Sequence, residues 1–273
     1  PLTKKNPASM DLSDDIFYDS KKKLGLSVDS YVHGVHFIDT DPSFFLKKIL
    51  RSSLSDLYCK GIKPKFYFLS LGCNKNFPSH KRLLKIKKIL FSEQKKFNIF
   101  LSGGDTTFSK NLVITIAVLG YATNKPTLRK GSSINDDIYV TGNIGDSFIG
   151  LNIIKRKMNF GKFNSYFKKK FYEPEIPYKI TPFLNKIASS SIDISDGLGQ
   201  DLKNLCINSK HGAYIDLNLL PISKKLANLI NLNKLNLRNV FSKGDDYQIL
   251  FTSSPKNRNK INQIRKKINI KIT

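Results

Sequence analysis

Ile99-Phe100-Leu101-Ser102-Gly103-Gly104-Asp105-Thr106-Thr107 decides how this chain is read. The apolar start (99–102) has the look of a short strand, and it runs into two glycines and an acid. Upstream, residues 66–71 read as a second strand. Between the two, residues 81–91 place Leu83, Leu84, Ile86, Ile89 and Leu90 at helical spacing on one face. Downstream, 112–119 is a third apolar run. Helices interleaved with strands read as an α/β (α+β) fold. Glycine lets the main chain approach a polyphosphate closely, and an adjacent carboxylate supplies a hard oxygen for a divalent cation. A plain hairpin turn also favours Gly-Gly-Asp, so the segment alone leaves both readings open.

Toward the N-terminus, 24–28 reads as a strand in a hairpin, with Asp14-Asp15 on one side and Asp29 on the other. Ser27, Val28 and Asp29 then fall at the end of its second strand. Asp41-Pro42-Ser43 starts a helix, with a cap and a proline in the first turn, and apolar residues recur from Phe45 to Leu57. Asp56 sits inside that apolar face, where an ionised carboxylate is costly without a cation or a donor. Metal ligation and a buried structural role are both open. His36 lies at a strand end, where a packed neutral histidine and a phosphate contact are the alternatives.

Toward the C-terminus, the polar, proline-punctuated stretch 122–127 places a domain boundary, giving domains 1–122 and 123–273. In the second domain, 137–141 reads as a strand, 142–145 as a turn and 146–154 as a helix. Residues 191–194, 213–217 and 248–252 read as further strands, and 198–209 as a helix. The basic, aromatic stretch 155–182 has no clear period. Asp193-Ile194-Ser195-Asp196-Gly197 puts Asp193 at a strand end and Ser195 and Asp196 at a helix start, where an ordinary N-cap is the plain alternative. Gly244-Asp245-Asp246-Tyr247 repeats the pairing of glycine with acids.

The 273 residues, 40% of them hydrophobic, are enough for a buried core, and no apolar run approaches the ~20 residues of a membrane span. Neither a signal peptide nor an anchor is visible, and the expected location is the cytoplasm. Cys59, Cys73 and Cys206 are isolated, which suggests neither a zinc site nor a disulfide framework. The net charge of +25 raises nucleic-acid binding, but lysines are scattered through nearly every segment rather than gathered in a stripe, so this is the weaker alternative. No Walker loop, dinucleotide fingerprint or protein-kinase signature occurs.

Eight segments in order carry a resemblance to the thiamine-monophosphate kinase family, within the superfamily of aminoimidazole ribonucleotide synthetase and selenophosphate synthetase. They are 13–15, 27–30, 34–37, 54–57, 103–107, 139–142, 193–198 and 244–247. The resemblance covers nearly the whole chain. It implies an N-terminal ATP- and Mg²⁺-binding domain that dimerises through its sheet, a C-terminal α/β domain, and a chain truncated at both ends. The implied metal ligands are Asp15, Ser27, the backbone of Val28, Asp29, Asp56, Asp105, Asp193 and Asp196. Gly104, Asp105, Arg129 and Ser195 are implied as ATP contacts, and His36 and Asp245 as contacts to thiamine monophosphate. The sequence departs from the family pattern at Ser13 (usually glycine), Val28 (usually threonine) and Asp245 (usually glutamate).

The implied chemistry is in-line transfer of the γ-phosphoryl group of ATP to thiamine monophosphate, with several Mg²⁺ ions. The acceptor phosphate oxygen is already ionised at neutral pH, so no general base is required. Positioning and charge neutralisation, with Arg129 as a charge stabiliser, carry the reaction. A sister activity on another acceptor is the alternative. It is weakened by the absence of an N-terminal Cys–Lys pair of the selenophosphate type and of the Val-Gly-Thr-Lys-like loop of the ribonucleotide synthetase.

Overall fold

The strand Val113–Ala122 alternates buried Ile114, Ile116 and Val118 with half-exposed neighbours, the signature of a strand at the centre of a sheet covered on one face. The computed structural model describes residues 2–232 and 234–273. The chain divides into two compact units, Pro1–Leu57 with Ile62–Thr123, and Tyr58–Gly61 with Asn124–Thr273. No described helix is long and apolar enough to cross a membrane.

In the first unit, β1 (Phe17–Asp19), β2 (Leu24–Val32), β3 (Ile62–Cys73), β4 (Phe100–Phe108) and β5 (Val113–Ala122) form one sheet in the order β1-β2-β5-β3-β4. Only β3 and β4 are parallel, because α2 (His80–Phe97) carries the chain back between them. Ser79 caps the start of α2, and Asn98 ends it in the left-handed conformation. Helix α1 (Leu46–Tyr58) buries Leu46, Ile49, Leu50, Leu54 and Leu57 at i, i+3, i+4 spacing. A buried bidentate pair, Arg51 Nε to Glu93 Oε2 at 2.7 Å and Nη2 to Oε1 at 2.8 Å, ties α1 to α2.

Two expectations change here. The Gly-Gly-Asp segment is not a loop after a strand but lies inside β4. Pairing runs Tyr67–Leu101 and then Phe68–Gly103, so Ser102 is an extra residue, a bulge, and the glycines follow it. Gly104 has φ 156°, and a Cβ there would stand 1.8 Å from the Leu69 carbonyl oxygen, so glycine is what allows the two strands to close. Likewise Ser27, Val28 and Asp29 occupy the middle of β2 rather than its end, because the strand continues to Val32.

In the second unit, β6 (Asp137–Val140), β7 (Ser190–Asp193) and β8 (Ile249–Ser253) form an antiparallel sheet in the order β6-β8-β7. Around it lie α3 (Asp146–Ile154), α4 (Asn164–Tyr172), α5 (Thr181–Leu184), α6 (Leu198–Ser209), α7 (Lys224–Asn231), α8 (Leu237–Phe241) and α9 (Arg258–Ile268). The alternation of β8 separates two cores. Ile249 and Phe251 join Leu184, Ile261 and Ile264, whereas Leu250 joins Ile192, Leu198, Leu202 and Leu205. The short segment Tyr58–Gly61 belongs to this unit. Buried Lys60 donates to the Ser191 carbonyl at 2.8 Å, and the Ser191 hydroxyl donates to the Cys59 carbonyl at 2.5 Å.

The unassigned stretch 155–182 contains α4, which buries Phe167 and Phe171 four residues apart. Residues 213–217, expected as a strand, pair with no strand among the described residues. The chain there is irregular and enters a 3-10 turn, Leu217–Leu219, capped by Asp216.

Candidate active site

On β2 the side chains of Ser27, Asp29 and Tyr31 share the face opposite exposed Val28, as the two-residue period requires. That face meets α1. The Ser27 hydroxyl donates to Asp56 Oδ2 at 2.5 Å, so the costly half-buried carboxylate read from the sequence has a donor. The Tyr31 hydroxyl lies 3.2 Å from Asp29 Oδ2, 2.5 Å from Ser52 Oγ and 2.9 Å from Ser53 Oγ. Burial, and then the Asp29 charge, push the Tyr31 phenol well above its ordinary pKa. Strand β1 covers only Leu24–Leu26 of β2, and among the described residues no strand pairs with that edge from Ser27 onward.

Asp15 is half-buried before β1, and its N–H donates to Asp14 Oδ1 at 2.9 Å. His36 is exposed in the loop after β2, not at a strand end. Its Nδ1 accepts the Val32 N–H at 3.0 Å, which in the neutral ring puts the proton on Nε2. Asp105 is exposed on β4, where Oδ1 accepts the Thr106 N–H at 2.8 Å. The register aligns Asp29 with Ile116, Ile116 with Leu69 and Leu69 with Gly104, which places Asp29 and Asp105 about 14 Å apart across three strand spacings.

The second unit joins two of the acidic motifs. Asp193, at the end of β7, is buried, while Ser195 and Asp196 are exposed in the turn before α6. The Asp245 N–H donates to the Ser195 carbonyl and the Tyr247 N–H to the Ile194 carbonyl, both at 2.8 Å. A Cβ on Gly244 would lie 1.8 Å from the Ser195 carbonyl oxygen, so this approach needs glycine. Asp245 (φ 70°) and Tyr247 (φ 51°) both adopt the left-handed conformation, a strain that clusters at functional sites. The Tyr247 hydroxyl holds Asp245 Oδ1 at 2.9 Å. Arg129 follows Leu128, whose carbonyl accepts the Ser191 N–H, so it runs beside β7.

Neither Ser195 nor Asp196 caps α6. Gly197 is the cap residue, and no side-chain cap bond forms. Asp201 on α6, buried at 1% exposure, instead accepts the N–H groups of Asp196 and Gly197, each at 3.1 Å. Burial first, then the charges of Asp193 and Asp196, push its carboxyl up to about 7. Buried Asp246 accepts the Gly145 N–H at 2.7 Å, and burial pushes its carboxyl well up. Sequence reasoning assigned no role to Tyr31, Asp201, Asp246 or Tyr247. An acid inside the apolar pattern of α6 was the available signal for Asp201, the same one that exposed Asp56.

The donor set fits Mg²⁺. It consists of carboxylate, hydroxyl and carbonyl oxygens, the hard ligands this cation takes. Among the described residues no three His, Cys, Asp or Glu side chains converge on one point. Mg²⁺ does not demand that, because it keeps several waters and takes one or two carboxylates together with substrate phosphates.

A family model described as AIR synthase related protein, N-terminal domain, matches residues 7–122. A solved structure of thiamine-monophosphate kinase from Stenotrophomonas maltophilia shares the fold, with a TM-score of 0.84 over 97% of this chain and 91% of that one at 24% identity. Another, described as AaThiL complexed with AMPPCP and TMP, has a TM-score of 0.83 over 95% and 85% at 25% identity. The thiamine-monophosphate kinase of Buchnera aphidicola (from Schizaphis graminum) is 37% identical over 254 residues, 92% of this chain and 77% of its own length. At that identity and coverage, the chain belongs to the thiamine-monophosphate kinase family.

Proposed function

We propose that this chain phosphorylates thiamine monophosphate to thiamine diphosphate with ATP. Family membership supports the reaction, and the related structure holding AMPPCP and TMP supports both substrates. The observation in this structure that carries the reading is the seam between β2 and α1, where the Ser27 hydroxyl meets Asp56 and the Tyr31 hydroxyl meets Asp29, with the His36 imidazole against the Tyr31 ring.

Asp15, Ser27, the Val28 carbonyl, Asp29, Asp56, Asp105, Asp193 and Asp196 would hold Mg²⁺. The ions would supply charge neutralisation to the polyphosphate and the transferring group. Within one copy, Asp29 and Asp105 stand too far apart to share an ion. Gly104, Asp105, Arg129 and Ser195 would hold ATP. The backbone at Gly104 is free of a Cβ, and the Arg129 guanidinium offsets charge on the phosphates. His36 donates through Nε2–H to the acceptor phosphate, and Asp245, fixed by Tyr247, offers a negative charge to the cationic thiazolium. The phosphate oxygen of thiamine monophosphate forms the new bond to the γ-phosphorus as the bond to ADP breaks, and no side chain has to remove a proton.

Phe68, Phe100, Leu101, Phe108 and Tyr121 are exposed on β3, β4 and β5, and such apolar area supports a homodimer formed through this sheet. The working compartment is the cytoplasm. The test is ADP release with thiamine monophosphate, thiamine, selenide or formylglycinamidine ribonucleotide as acceptor. Release dependent on thiamine monophosphate alone is expected, whereas turnover of selenide or the ribonucleotide in its place overturns the reading in favour of a sister activity.

A further inference from the structure

We propose that Tyr31 is a positioning residue that holds Asp29 through its hydroxyl and His36 through its ring. The inference rests on the function proposed above. Asp29 and Tyr31 are two residues apart on β2 and so share a face, and Tyr31 is 8% exposed. Its hydroxyl is the hydrogen-bond donor that reaches the Asp29 carboxylate among the described residues, at 3.2 Å from Oδ2.

A proton inventory assigns that bond. Tyr31, Ser52 and Ser53 offer three hydroxyl protons, and both serine hydroxyls also approach the Ile49 carbonyl, at 3.0 and 3.2 Å. Each serine can donate either to that carbonyl or to the phenol oxygen. Of the three hydroxyls only Tyr31 reaches the Asp29 carboxylate. A charged acceptor makes the stronger bond, so the phenol proton goes to Asp29 Oδ2. Oδ2 is thereby tied toward α1, and Oδ1, which makes no hydrogen bond among the described residues, is left for a cation. The Tyr31 ring stands perpendicular to the His36 imidazole, with centroids 5.9 Å apart and an interplanar angle of 82°. The ring braces the imidazole from one side, while the Val32 N–H fixes Nδ1. One side chain therefore serves both the cation and the acceptor phosphate.

Two substitutions separate the contacts. Tyr31→Phe removes only the hydroxyl, and Tyr31→Leu removes the hydroxyl and the ring. For the wild type and each variant, the Mg²⁺ concentration giving half of the metal-induced rise in melting temperature is measured, together with KM for thiamine monophosphate and kcat at saturating Mg²⁺. The Phe variant is expected to need about tenfold more Mg²⁺, the scale of a lost hydrogen bond to a charged group, with KM and kcat close to wild type. The Leu variant is expected to show the same Mg²⁺ shift and a KM raised about tenfold. A Phe variant with the wild-type Mg²⁺ midpoint overturns the role of Tyr31 by itself, even if the Leu variant does not fold. A Leu variant with wild-type KM overturns the ring's part. A wild-type chain whose melting ignores Mg²⁺ refutes the metal reading itself, and the proposal with it.

Discussion

Asp56 shows what one residue reveals in a sequence and what it withholds. Its place in the apolar pattern of α1 announced a carboxylate that needed a partner, but the partner, Ser27, comes from a strand 29 positions away and is set by tertiary packing alone. If Asp56 binds Mg²⁺, Asp56→Asn is expected to cost at least roughly 10²-fold in rate, about 3 kcal/mol at the transition state. Melting in metal-free buffer should be unchanged or higher, because the amide still accepts from Ser27. Loss of metal-free stability with normal turnover would make it a packing residue. Asp105 is the simpler case. It is exposed and accepts only a local backbone bond, so Asp105→Asn is expected to leave the fold intact and abolish turnover, and an unchanged rate at saturating Mg²⁺ removes it from the site. The apolar pattern of α6 marks Asp201 as an acid in need of a partner, but its acceptor role toward Asp196 and Gly197 depends on how the turn before α6 folds back, which no spacing encodes.

At the scale of elements, apolar runs bounded by turn residues were a good guide in the second unit, where β7 and β8 are buried along their whole length. Helices α3 and α6 lie at the residues expected from their patterns, and β7 and β8 fall within a residue of theirs. The failures have separate causes. Gly-Gly in β4 looks like a turn, but a bulge and a close strand contact use the same residues. Residues 213–217 have strand composition, yet strand structure requires a neighbour to hydrogen-bond with. Gly104→Ala tests the β4 reading directly. The added Cβ meets backbone rather than a flexible side-chain tip, so destabilisation of several kcal/mol is expected in denaturant titration, and a neutral effect would contradict the pairing. The α1–α2 link is equally open to test. Glu93→Ala leaves a buried guanidinium without its bidentate acceptor and is expected to cost about 3–5 kcal/mol. A cost near zero would mean that the pair is not desolvated.

For the molecule as a whole, buried carboxyls set a pH dependence, Asp146 and Asp246 among them. Asp146 takes hydrogen bonds from Ser223 and Tyr166, both at 2.7 Å, and Asp246 from Gly145, yet burial dominates and raises both. An acid whose folded pKa is raised binds its proton more tightly in the folded state. Its contribution is full below the unfolded value near 4 and is lost as pH rises through the folded one. Asp146→Asn is therefore expected to flatten the decline in unfolding free energy above about pH 4 relative to wild type, and a parallel curve contradicts the assignment. The inclusion of Tyr58–Gly61 in the second unit, by contrast, was not legible in the sequence. Lys60, a residue type that normally marks surface, is fully buried there because the Ser191 carbonyl accepts its ammonium.

The central claim is direct transfer from ATP to thiamine monophosphate. With γ-labelled ATP, Mg²⁺ and thiamine monophosphate, the label should appear in the terminal phosphate of thiamine diphosphate, one for each ADP released, and none should be retained on the protein. Label recovered only as inorganic phosphate, or trapped on the chain after denaturation, would contradict it.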